Sequence, residues 1–205
     1  MNKVCFDIGN VLCHCSFEPL AYLLSKQLNI TVKEANAFIN RNQKLHDLGM
    51  TSLADELRDH FKIHSEALID EVMYEWDQAV KSEPIMMQLL RDLSAQGVQV
   101  ALLSNIGLEH AKLIDIQWQE EKFYQWGIKH FSCFVGARKP NHLYYQSFLL
   151  DHPEFKGSLY LDDLPENVAA GVYHGFETFQ FELNKMDSEK KLQAHVDWIK
   201  NRLMD

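Results

Sequence analysis

Lys3-Val4-Cys5-Phe6-Asp7-Ile8-Gly9-Asn10-Val11-Leu12 is the stretch on which the fold of this chain turns. An apolar run of strand-forming residues carries one carboxylate, Asp7, and then breaks at a Gly-Asn turn. In open α/β sheets the chemistry sits outside the carboxyl ends of the strands. A carboxylate held there can act as a nucleophile, bind a metal, or do both.

Beyond this run, from residue 17 to residue 81, apolar residues recur at three- and four-residue intervals with little β-branched clustering, a helical pattern. The spacing predicts helices over residues 21–28, 32–48, 52–61 and 66–80. Thr31 with Glu34 and Ser52 with Asp55 form capping boxes, and Gly49 breaks the second helix from the third. Pro84 opens a further helix that Gly97 closes. Strands are predicted at residues 98–103, 131–135, 159–161 and 178–181. Helices are expected over part of 109–129, over 141–150 and 165–173, and from 187 onward.

Strands alternating with helices predict an α/β protein with a Rossmann-like parallel sheet core in three αβα layers. The four-helix block between the first two strands is too long for one crossover and reads as an inserted α-helical cap subdomain. Residues 1–15 and 82–205 then form the core and 16–81 the cap.

With 205 residues, 46% of them hydrophobic and 24% charged, the composition is that of a soluble globular protein. A formal charge of −9, from 29 acidic and 20 basic residues, argues against nucleic acid or an anionic membrane as the partner. An anionic substrate would need a locally cationic site or a metal. The apolar run before Asp7 is too short for a signal peptide, and no stretch reaches the roughly 18 apolar residues of a membrane span. The expectation is a cytoplasmic monomer or homodimer. Cys13-His14-Cys15 lacks zinc-site spacing and a second ligand pair, so the four cysteines read as reduced thiols.

Four strand ends carry polar groups: Asp7; Ser104 and Asn105; Lys139, just past the third strand; and Asp162 with Asp163. In a parallel sheet these ends share one edge, so the groups should converge. Three carboxylates and the Gly9 carbonyl suit an oxygen-ligated Mg²⁺. A hydroxyl, an amide and an ammonium suit phosphoryl oxygens.

This ordered set resembles the haloacid dehalogenase-like (HAD) hydrolase superfamily, which carries a nucleophilic Asp, a Ser/Thr, a Lys and an acidic pair in this order. The resemblance covers essentially the whole chain, helical cap included. It implies that Asp7 is nucleophile and metal ligand, and that Ser104 and Asn105 bind the phosphoryl group. Lys139 would offset charge on Asp7 and the phosphate, and Asp162, assisted by Asp163 and the Gly9 carbonyl, would hold Mg²⁺. Family phosphatases usually place a general acid/base Asp where this chain has Gly9. The run around it instead resembles glucose-1-phosphate phosphatases and epoxide-hydrolase N-domain relatives.

The leading expectation is a Mg²⁺-dependent phosphatase acting on a small phosphorylated metabolite of sugar-phosphate type through an aspartyl-phosphate. Losing the acid/base costs about 10²- to 10⁴-fold in rate, so good leaving groups should be favoured. One alternative is a metal-independent 2-haloacid dehalogenase with Arg41 as carboxylate clamp. Another is a catalytically degenerate module that binds a ligand or a protein. In the cap, His46 and Gly49 resemble a loop that dips toward the active site. Arg41 and His14 are further candidates for substrate contact.

Overall fold

The computed structural model describes residues 2–204. The chain starts with strand β1 (Lys3–Phe6), a short strand β2 (Cys13–Cys15), and four helices, α1 (Glu18–Gln27), α2 (Val32–Asp47), α3 (Leu53–His60) and α4 (Glu66–Gln78). Strand β3 (Val80–Ser82) and helix α5 (Pro84–Ala95) lead to β4 (Gln99–Ser104), α6 (Leu108–Trp118) and α7 (Lys122–Gln125). Then come β5 (Ile128–Phe131), α8 (Ser132–Val135), α9 (His142–Asp151) and β6 (Leu159–Asp162). Last are α10 (Pro165–Tyr173), β7 (Glu177–Gln180) and α11 (Glu189–Met204).

Five strands form one parallel sheet in the order β5-β4-β1-β6-β7. Alternation along β1 splits its side chains between two cores, as the period-2 pleat requires. Val4 and Phe6 join Val100, Leu102, Leu159 and Leu161 on one face, where α5 and α11 add Leu89, Leu93, Val196 and Ile199. Cys5, Ala101, Leu103 and Tyr160 face the other way and meet Tyr144, Tyr145 and Phe148 of α9. The architecture is α/β, a sheet between two helical layers.

Helices α1 to α4 bury a core of their own, with Leu20, Leu24, Phe38, Leu57, Val72 and Trp76 among its members. Their starts follow the caps. Thr31 accepts the Glu34 amide at 3.2 Å while Glu34 accepts the Thr31 amide at 2.8 Å, closing a capping box. Ser52 accepts the Asp55 amide at 3.1 Å.

Two expectations from the sequence need correction. The strand predicted over 131–135 lies instead at Ile128–Phe131, and Ser132–Val135 is a helical turn. Phe131, Phe134 and Val135 have strand propensity, but tertiary bonds end the strand. Ser132 Oγ accepts the Ile106 amide at 2.9 Å and donates to the Asp47 carbonyl at 2.5 Å, and Gly136 closes the turn at φ 71°. The helix predicted to end at residue 80 stops at Gln78. Val80–Ser82 pairs antiparallel with Cys13–Cys15, tying together the two chain segments that flank the four helices.

Candidate active site

The register of the sheet assembles the site. Phe6 pairs with Leu102 on one side and Leu161 on the other, so Asp7 emerges beside Leu103 and Asp162. The Asp7 amide donates to the Leu161 carbonyl at 2.9 Å, and the Ile8 amide donates back to Asp7 Oδ1 at 2.7 Å. Oxygens of Asp7, Asp162 and Asp163 all lie within 4.8 Å of one another.

Lys139 enters this cluster from below. Its ammonium donates to Asp162 Oδ2 at 2.6 Å and the Leu103 carbonyl at 2.7 Å, and it stands 3.0 Å from Asp7 Oδ1. An ammonium has three donors, and here each has a partner. Burial works against that charge, yet Asp162 and Asp7 hold the ammonium protonated, well above the ordinary lysine range. Burial pushes the Asp7 carboxyl up to about 7, opposed by Lys139 and reinforced by Asp162 and Asp163. Three carboxylates against one ammonium leave an excess of negative charge, which a divalent cation would neutralise.

The two acids of the pair differ. Asp162 is fully buried and accepts four hydrogen bonds: from Lys139, the Tyr160 hydroxyl, the Leu164 amide at 3.0 Å and Asn167 Nδ2 at 2.9 Å. Asp163 is half-buried, lines the main cavity, and accepts from Asn10 Nδ2 at 3.2 Å. Asp162 thus anchors the lysine, and Asp163 faces the cavity.

The cavity, of ≈ 350 Å³, lies between the strand ends and the cap helices. Asp7, Gly9, Ser104, Asn105 and Asp163 line it from the core side. Ser104 leads into α6, whose N-cap is Gly107 with no side-chain capping bond. Exposed amides at such a helix start favour an anion. A Cβ on Gly107 would stand 3.1 Å from the His46 carbonyl, so glycine permits the close approach of cap and core there.

Several expected residues stand elsewhere. Lys139 is buried and lies behind Asp7 rather than among the residues that line the cavity. Asn105 lines the cavity but spends its amide on the Lys139 backbone, accepting from the amide at 2.7 Å and donating to the carbonyl at 3.0 Å. It positions the lysine. Arg41 is exposed on α2 over the Phe38 ring, a helical position away from the buried Asn42–His46 face. His14 points out of β2 and pairs with Glu83 at 2.8 Å. Gly49, at φ 67°, packs against the Cys133 carbonyl instead of the cavity. Of the cap candidates, His46 lines it.

Sequence reasoning missed Arg138, Asp47, His110 and Trp76, which also line the cavity. Arg138 bonds Asp47 of the cap at 2.9 Å through Nη2 and is the cavity's one Arg or Lys among the described residues. Its place directly before Lys139 was the available signal.

No family model and no curated protein matches this chain. Solved structures do. A HAD family enzyme from Bacteroides thetaiotaomicron, in complex with magnesium and inorganic phosphate, is similar with TM-score 0.68 and 19% identity over 88% of this chain and 93% of that one. A "predicted HAD-like family hydrolase" from Porphyromonas gingivalis gives TM-score 0.74 and 18% identity over 98% of each chain. An L-2-haloacid dehalogenase gives 0.57 and 16% over 87% and 83%. The chain thus has the fold of the HAD enzymes. No described helix is long and apolar enough to cross a membrane.

Proposed function

We propose that this chain is a HAD-type hydrolase, a Mg²⁺-dependent phosphatase that acts on a small phosphorylated metabolite through an aspartyl-phosphate on Asp7. The observation that carries this reading is the buried Asp7–Lys139–Asp162 cluster opening, through Asp7 and Asp163, into a cavity that the cap covers. The donor set fits Mg²⁺: hard oxygens of Asp7, Asp162 and Asp163, with the Gly9 carbonyl, would hold it. When bound, it would neutralise phosphoryl charge.

The chain's own residues do the rest. Lys139 favours the ionised form of Asp7 against the effect of burial and orients it by its 3.0 Å contact. Ser104 and the amides at the start of α6 receive phosphoryl oxygens. Arg138 supplies the cationic wall that a protein of charge −9 needs locally. Asp7 attacks phosphorus, the bond to the leaving oxygen breaks with its electron pair, and water later cleaves the Asp7 ester. The neighbouring B. thetaiotaomicron structure binds magnesium and phosphate, which supports the same ligands here.

The dehalogenase reading loses its clamp, because Arg41 faces solvent, and a metal-independent reaction does not need the Asp162–Asp163 pair beside Asp7. A phosphometabolite panel including glucose 1-phosphate and acetyl phosphate, run with and without Mg²⁺, tests the proposal. Phosphate release that requires Mg²⁺ and disappears in Asp7→Asn is expected. Halide release from 2-haloacids without metal would overturn it.

A further inference from the structure

Gly9 leaves the cavity without the carboxylate that would move protons, and the backbone does not demand glycine there. Its φ lies outside the left-handed range where five other glycines fall, and an added Cβ would meet only Cys15 Sγ, at 3.5 Å. Another group must exchange the proton if the ester on Asp7 is to be hydrolysed at a useful rate.

The cavity offers few such groups. Asp7 is the nucleophile and Asp163 a metal ligand on the reading above. Asp47 is engaged by Arg138, and an arginine does not give up its proton. Burial pushes the Cys15 thiol up to about 12. Both ring nitrogens of His46 are sealed from solvent and reach no protein partner.

His110 is different. It lies in the first turn of α6, six residues past Ser104, and lines the cavity. Its ring stacks on Trp76 of the cap, with centroids 4.5 Å apart. Nε2 stands 2.9 Å from the Trp76 carbonyl. A carbonyl only accepts, so Nε2 carries the hydrogen and Nδ1 is left as a bare acceptor. The Trp76 carbonyl of α4 thereby sets the tautomer of His110 on α6. Burial also favours the neutral ring, with His46 the titratable neighbour that acts on it from α2.

We propose that His110 is the general base for hydrolysis of the aspartyl-phosphate, in place of the carboxylate absent at Gly9; this rests on the phosphatase reading. Water attacks phosphorus while His110 Nδ1 takes its proton. The bond from phosphorus to Asp7 breaks, its electron pair returns to the carboxylate, and inorganic phosphate leaves. His110 then releases the proton to solvent. A neutral His110 has no proton for the leaving group in the first step, so departing oxygens that are stable as anions, such as acetate from acetyl phosphate, suit the site.

Rapid-quench measurements with radiolabelled acetyl phosphate and Mg²⁺ separate the steps. His110→Gln can still donate to the Trp76 carbonyl. It should form the acyl phosphate on Asp7 at the wild-type rate and lose it about 10²-fold more slowly. Added imidazole should restore part of the decay in His110→Ala. If formation and decay fall together, or the ester in His110→Gln decays at the wild-type rate, His110 is not the base and the phosphatase reading stands. If wild-type protein forms no ester on Asp7, both fall.

Discussion

Lys139 Nζ lies 2.6 Å from Asp162 Oδ2, with both side chains fully sealed from solvent. This pair, with Asp7 3.0 Å from the same nitrogen, joins the ends of β1 and β6 to the loop after α8. Removing one partner leaves a buried charge without compensation, which costs about 3–5 kcal/mol. Lys139→Met should therefore lower unfolding stability by about that amount in urea titration, beyond any loss of activity. A variant of wild-type stability would show that the cluster is not closed as described.

Gly9→Asp is sterically admissible at its first side-chain atom, since an added Cβ meets only Cys15 Sγ, at 3.5 Å. It restores an acid that can protonate the leaving oxygen. Alkyl phosphates, which need that proton, should gain about 10²- to 10⁴-fold in kcat/KM, and acetyl phosphate far less. Equal gains for both would mean that protonation does not limit turnover.

Arg138 spends one of its donors on Asp47 and lines the cavity, with Nε buried and unpartnered. A hydrogen bond to a charged group contributes about 1.5–3 kcal/mol. Arg138→Ala should thus raise the KM for acetyl phosphate by one to two orders of magnitude, roughly, with a smaller change in kcat. An unchanged KM would remove Arg138 from substrate binding.

Burial lowers the pKa of both His46 and His110 below the ordinary value of 6.5. At these two rings, as at His130, which burial also lowers, the unfolded chain then binds more protons than the folded one in acid. Their contribution to stability therefore rises with pH and is lost as pH falls below about 6.5. Asp7, raised to about 7, works in the opposite direction. Denaturation midpoints measured between pH 5 and 7.5, roughly the titration range of histidine, should show this contribution. Wild-type protein should gain more stability over this range than His46→Gln combined with His110→Gln. An equal gain in both would mean that these two rings do not carry it.

The sheet core was legible because its determinants are local. Short continuous apolar runs ended by Asp7, Ser104 and Asp162 mark strands, and Thr31 with Glu34 marks a helix start whatever surrounds them. Where propensity and tertiary bonding disagreed, bonding prevailed. Residues 132–135 have strand-forming side chains, yet Ser132 is held by Ile106 and Asp47, a residue 85 positions away. The β2–β3 pairing was likewise hidden, because three-residue strands carry no readable period.

The chain by itself determined which residues stand at the strand ends, since each follows its own apolar run, and so brought Asp7, Ser104, Asp162 and Asp163 to one edge. Only the tertiary structure decided what each of them does there. Asp162 became an anchor because four donors surround it, and Lys139 withdrew from the cavity because three acceptors surround it. His110 and Arg138 reached the cavity through contacts with the cap, at Trp76 and Asp47. Hydrogen-bond satisfaction in a buried site depends on partners distant in sequence, and no local pattern records it.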